Sequence, residues 1–161
     1  MQNPYASHLG GRDPLVVIAK TPAELGRLVS AIGSRVDQPR APGKWSPRQI
    51  LTHLADCEIA FAFRLRQALA EERHTVQPFN QDRWADHYAA YDAPAALDTF
   101  AALRRWNVAL IRSLPSAAMD RVLVHPERGE MPFGVLVETM GGHDLNHLAQ
   151  LEEVARAVSA G

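Results

Sequence analysis

The chain of 161 residues falls within the size range of one domain, expected over 1–161, and 47% hydrophobic residues supply enough material for one sizeable core. Its 17 basic and 18 acidic side chains leave a formal net charge of -1, so no overall field draws nucleic acid or anionic lipid to it. The single cysteine, Cys57, excludes an intramolecular disulfide, and the opening MQNPYASHLGGRDPLVVIAK has no basic segment and only a short apolar run, Leu15 to Ala19, so a cytoplasmic protein with no membrane partner is expected.

Thr21, Pro22 and Glu24 make the capping pattern TPAE, which predicts a helix from about Pro22 to Val36. The Pro- and Gly-rich linker VDQPRAPGKW ends it, and Ser46, Pro47 and Gln49 repeat the capping logic as SPRQ at the head of a long apolar helix reaching about Arg73. QDRWADHYAAY predicts a short helix carrying Trp84, and Asp92 and Pro94 open a third long helix, alanine-rich, that ends near Leu114. A short hairpin is a candidate near 121–132, within RVLVHPERGEMP, although Pro126 and Pro132 limit strand pairing. From Pro132 to about Val158 the pattern is helical again. Gly141 and Gly142, each costing about 1 kcal/mol relative to alanine, mark a close approach or a bend there. Four long helices without a convincing set of strands predict an all-α four-helix bundle with a longer crossover connection.

The sharpest local signal is HDLNH on the last helix, where His143 and His147 are four residues apart. At about 100° per residue they project from one face, separated by about 6 Å along the axis, and two ligands on one stripe can share one ion. His53 sits among residues of the second long helix that otherwise read as core, and a buried ring needs a partner. If these helices are neighbours, His53, His143 and His147 make a three-nitrogen divalent-metal site with positions left for water or substrate. The competing reading makes His53 a core histidine bonded to a carbonyl and the other two ordinary surface residues.

Around them, Cys57 lies one turn after His53, either as a soft fourth ligand or as a small core hydrophobe. Asp56 is placed to orient a ligand or to form an exposed salt bridge, and Glu58, about 140° from His53, to pair with Arg105 or Arg66. Gln49, Asn146 and Gln150 fall near the histidine stripes, where each can bond a bound molecule or be a satisfied interior amide. Asp144 stands where HExxH metalloproteases carry their general-base glutamate, although it is shorter. Trp45 and Trp106 are assigned to packing, His8, His74 and His87 to the surface, and His125 to an approach on the site from the crossover. No residue stands out as the general base, so the catalytic group is unknown.

Taken in order, NPYASHLGGRDP, WSPRQILTHLADCE, FNQDRW, HPERGEMPFG and HDLNHLAQLE span nearly the whole chain. Through them the sequence resembles the DinB-like, YfiT-type helical proteins, which are four-helix bundles with a three-histidine divalent metal site. The resemblance implies that His53, His143 and His147 are the ligands, with nickel or zinc as the metal, and it places Trp84 over the mouth of the site. It also implies a homodimer and thiol-dependent chemistry, since characterised relatives include S-transferases and isomerases that use bacillithiol or mycothiol. The expected function is therefore a metal-dependent transferase using a low-molecular-weight thiol on a small electrophilic molecule. Metal-dependent hydrolysis, where the HDxxH pattern carries weight, and a non-catalytic metal-binding module are the alternatives.

Overall fold

A side-chain oxygen followed by a proline in the first turn opens three of the four long helices in the computed structural model, which describes residues 3–159. After the one-turn helix α1 (Ala6–Leu9), Asp13 accepts hydrogen bonds from the amides of Leu15 and Val16 at the head of α2 (Pro14–Ile32). Ser46 and Gln49 form the expected reciprocal capping box on α3 (Pro47–Ala70), Asn80 caps the short α4 (Gln81–Ala85), and Asp92 caps α5 (Ala93–Arg112). Strands β1 (Val122–His125) and β2 (Gly129–Pro132) form the hairpin, and α6 (Phe133–Ser159) completes the chain. The hairpin is antiparallel with Val122 opposite Pro132 and His125 opposite Gly129. Pro126 lies in its turn and Pro132 at its last pair, so neither has to donate from a strand interior.

Two helices differ in extent from the sequence reading. The first long helix begins at Pro14, not Pro22, because Asp13 and Pro14 already supply the cap and the preset φ, and it stops at Ile32, before Gly33 with φ 58°. Pro22 therefore lies inside the helix, where its missing N–H leaves the carbonyl of Ile18 without its helical partner. The second ends at Ala70 rather than Arg73, where Arg73 takes a left-handed φ of 51°.

Helix α6 packs against α2 and α3, and α5 packs against the same pair. All-helical bundle architecture follows, with the hairpin set against one end. The apolar core falls into two clusters. Ile18, Phe61, Leu65, Val108, Phe133 and Met140 fill the hairpin end, and Leu25, Leu51, Leu54, Phe100 and Leu151 fill the other. Between them the helices carry Thr21, His53, Glu58, Arg104, Asn107, His143, Asp144 and His147, all buried. Trp106 is not a packing residue: it is 68% exposed, because α5 turns Phe100, Arg104, Val108 and Ile111 inward and Trp106 lies about 200° from Val108. Among the described residues no helix is long and apolar enough to cross a membrane.

The glycine pair on α6 marks a close approach. A Cβ on Gly142 would lie 2.5 Å from the Tyr5 carbonyl oxygen, so the segment leading into α1 lies directly on the α6 backbone. Gly142→Ala is expected to lower stability by about 1–3 kcal/mol in denaturant unfolding. Gly26→Ala, inside α2 with nothing within 4 Å of the new methyl, should raise it by about 0.5–1 kcal/mol. The reverse order would contradict the contact.

Candidate metal centre

On α3 and α6, adjacent residues diverge by about 100°, so each helix presents two kinds of polar group to two directions. His53 and His143 meet Nε2 to Nε2 at 3.1 Å. The His147 ring lies 4.9 Å from that of His53 and 4.6 Å from that of His143. All three sequence-selected histidines therefore come together, and each is buried. Cys57 joins them: its sulfur is 3.5 Å from His53 Nε2, and a ring nitrogen of His53, one of His143 and the sulfur all lie within 4.8 Å of one another. Burial pushes the thiol pKa up, with the nearby Asp56 charge adding to it, so the uncoordinated sulfur is a protonated, inert group.

Burial also dominates the rings. The pKa of His53 falls to about 3 through burial and then the neighbouring His147, and His143 is held well below its ordinary value by burial, the other two rings and Arg104. His147 falls to about 4, again through burial, against a hydrogen bond to Gln150 that favours the charged form. Neutral imidazole is the form in which histidine binds a metal, and a nitrogen of His53 and one of His143 converge with the Cys57 sulfur, while His147 packs its ring against both. His147 Nδ1 is moreover buried with no hydrogen-bond partner. Two nitrogens held at about 2.0–2.1 Å from one ion can be no more than about 4.2 Å apart, a limit that the His53–His143 separation of 3.1 Å satisfies. The residues present fit a divalent ion.

The surrounding groups divide sharply. Asp56 reaches His53 indirectly: it interacts with Tyr88, whose hydroxyl is 3.4 Å from His53 Nδ1. Tyr88 and Trp45, 4.8 Å from the His53 ring, are site residues that the sequence reading missed. Gln150 lies against His147, whereas Gln49 spends its side-chain oxygen on the amide of Ser46 in the capping box. Asn146 is half-buried beside the histidines, and it does not line the chamber described below. Trp84 is 37% exposed and stacks on Phe79 behind the wall of that chamber instead of forming it.

Asp144 is not placed as a general base. Its carboxylate pairs with Arg104 and accepts from the Thr21 hydroxyl at 2.6 Å, and all three groups are buried. Glu58 pairs with neither Arg105 nor Arg66. It accepts from Arg104 at 2.7 Å and from Asn107 at 2.8 Å, because α5 faces its Arg104 side, not its Arg105 side, to the core. Burial works against the Arg104 charge, but Asp144 and Glu58 outweigh it and hold the guanidinium pKa above its already high value.

A chamber of about 210 Å³ opens beside this centre. Its inner end is formed by His143, Cys57, Tyr5 and Phe61, its walls by Val76, Phe79, Leu123, Met131 and Leu136, and the hairpin brings His125 into it, as the sequence reading expected. The Tyr5 ring meets that of His143 edge-on at 5.2 Å.

Comparison with known proteins came to the same frame. The DinB superfamily profile matches residues 18–151. A provisionally named metal-dependent hydrolase of Oceanobacillus iheyensis is 30% identical over 124 residues, covering 76% of this chain and 72% of that one. Another so named, from Bacillus mycoides, is 26% identical over 140 residues, covering 83% and 79%. The solved structure of YfiT from Bacillus subtilis, described as a probable metal-dependent hydrolase with an unusual four-helix bundle topology, is 25% identical and superposes with a TM-score of 0.83 over 91% of this chain and 86% of that one.

Two measurements follow from the buried groups. The unfolded chain takes up protons on the three histidines below about pH 6.5, while in the metal-stripped fold His53 and His147 stay neutral down to about pH 3 and 4. Stability of the stripped protein should therefore fall as pH is lowered from about 6.5, by up to about 4 kcal/mol per unit once all three titrate in the unfolded chain. Equal denaturation midpoints at pH 7 and pH 5 would contradict the burial. Independently, Arg104→Met leaves two buried carboxylates without their cation and should cost about 3–5 kcal/mol in denaturant unfolding.

Proposed function

The chain belongs to the DinB superfamily, and from that premise we propose that it is a metal-dependent transferase that joins a low-molecular-weight thiol to a small electrophilic molecule. In this reading His53, His143 and His147 hold one divalent ion, nickel or zinc, which imidazole accommodates alike. Such an ion, when bound, supplies Lewis acidity that lowers the pKa of a coordinated thiol or water.

The observation that carries the thiol reading is the commitment of the nearby carboxylates. Glu58 and Asp144 are neutralised by Arg104, and Asp56 interacts with Tyr88. Neither Glu58 nor Asp144 is free to take a proton from an attacking group. A thiol, with an ordinary pKa of about 8.5, needs far less help in losing its proton than water at about 15.7. The chain's own residues then serve as holders and walls. Tyr88 and Trp45 fix the His53 ring, Gln150 steadies His147, and the side chains of the chamber give a small molecule a seat in front of His143. Hydrolysis is the second reading, favoured by the names that the relatives carry.

Elemental analysis of the purified protein is expected to find one nickel or zinc ion per chain, lost in His53→Ala and His147→Ala with helicity retained. Consumption of an electrophile such as chlorodinitrobenzene should then require both the metal and an added thiol. Thiol-independent turnover of a carboxylic ester by the loaded protein would replace this reading with hydrolysis. A wild type that takes up no metal on reconstitution would remove both.

A further inference from the structure

The chamber beside His143 is also lined by three nitrogen-bearing side chains outside the histidine cluster: Arg64 from α3, and His125 and Arg128 from the hairpin. Arg64 is held in place from two sides. Its Nη2 donates to the Gln77 carbonyl at 2.9 Å, and its guanidinium lies 5.4 Å from the centre of the Phe79 ring. Neither contact neutralises it. Among the described residues neither Arg64 nor Arg128 has a carboxylate within salt-bridge distance, although Glu127 lines the same mouth. His125 is oriented as well: its Nδ1 accepts the Glu127 amide at 3.2 Å, so the proton of the neutral ring sits on Nε2. Burial first, and then the charges of Arg128 and Arg64, lower the pKa of His125, with Glu127 opposing them. Two half-buried cations and a fixed N–H donor, without an anion of their own, face a space walled by Val76, Phe79 and Leu123.

Cations left unpaired in apolar surroundings are costly, whereas planar guanidinium groups match a carboxylate in two parallel hydrogen bonds. We propose that Arg64, Arg128 and His125 form a carboxylate-recognition subsite, so that the chamber takes a small organic acid with its carboxylate at the hairpin end and its reacting end toward His143. The inference rests on the proposed function only in taking the His143 end as the reacting one. The carboxylate can belong to the electrophile or to the thiol, and the hydrogen bonds made to it are the same.

The test measures binding of two matched pairs of probes by titration calorimetry or by NMR shifts of the chamber residues. One pair is phenylacetate and phenylacetamide, and the other is N-acetylcysteine and its amide. Wild type should bind at least one acid about tenfold to a hundredfold more tightly than its amide, the range expected for charge-assisted hydrogen bonds. Arg128→Gln, at a turn outside the core, and Arg64→Gln should each reduce that preference while leaving amide binding unchanged. A preference confined to the phenylacetate pair assigns the carboxylate to the electrophile, and one confined to the cysteine pair assigns it to the thiol. The preference should persist in metal-stripped protein, so it stands or falls apart from the metal reading. Loss of acid binding on stripping, with full preference retained in both arginine variants, would place the carboxylate on the ion and overturn the subsite. Equal binding of acid and amide in wild type, or no saturable binding in the millimolar range, would also overturn it.

Discussion

The Arg104 guanidinium donates to a carboxylate on α6 and a carboxylate on α3 while its own backbone belongs to α5, and it also reaches the Ile18 carbonyl on α2 at 3.1 Å. Four helices thus share one buried cation. That last acceptor exists because Pro22, four residues on, cannot donate to it. A proline inside a helix is ordinarily a defect of about 3 kcal/mol, and here the freed carbonyl is satisfied by the same group that neutralises Glu58 and Asp144. Thr21, beside the proline, adds its hydroxyl to Asp144. Apolar surfaces can slide past one another at small cost, but a guanidinium with four fixed acceptors permits one axial register for the bundle.

Register matters because the histidines neighbour these same residues. Asp144 follows His143, and Glu58 follows Cys57, so fixing the carboxylates against Arg104 fixes where the next side chains point. The result is two polar strata side by side between the apolar clusters. In one, both carboxylates, both terminal nitrogens of the guanidinium and the Asn107 amide are bonded, and Arg104 Nε is left without a partner. In the other, three neutral rings crowd one another and His147 Nδ1 has no partner. The ion-paired stratum gives rigidity to the histidine stratum beside it, whose rings are held by weaker contacts.

Much of this was legible in the sequence where one local rule decided the outcome. SPRQ capped α3 as read, HDLNH put two rings on one stripe, and the hairpin formed where its prolines could be tolerated. TPAE failed because two start signals, Asp13-Pro14 and Thr21-Pro22, compete within eight residues, and only tertiary acceptors for the second make the longer helix affordable. The partner of Glu58 was readable in principle. Ala96, Phe100, Arg104, Val108 and Ile111 follow one another at intervals of four, four, four and three, which puts Arg104 and not Arg105 on the buried stripe and turns Trp106 outward. Tyr88, Trp45 and Tyr5 gave no such signal, since each reaches the histidines from a loop or a one-turn helix whose placement depends on the finished bundle.

The misplacement of Asp144 shows how a motif can hold while its role changes. In HExxH the residue after the first histidine must point at the metal's substrate side, and a glutamate has the length to do so. Aspartate is one methylene shorter, and on α6 the step of about 100° from His143 aims it at α2 and α5. Once Arg104 and Thr21 are there to receive it, the carboxylate lowers its energy by staying paired, and freeing it would leave a buried guanidinium with Glu58 as its one remaining anion. A proton acceptor must be able to gain charge balance from the proton it takes, and a carboxylate already balanced by a buried arginine gains little. The same ionic contact that sets the helices in register thus withdraws Asp144 from proton transfer, which is why the proposed reading turns to nucleophiles that part with a proton readily.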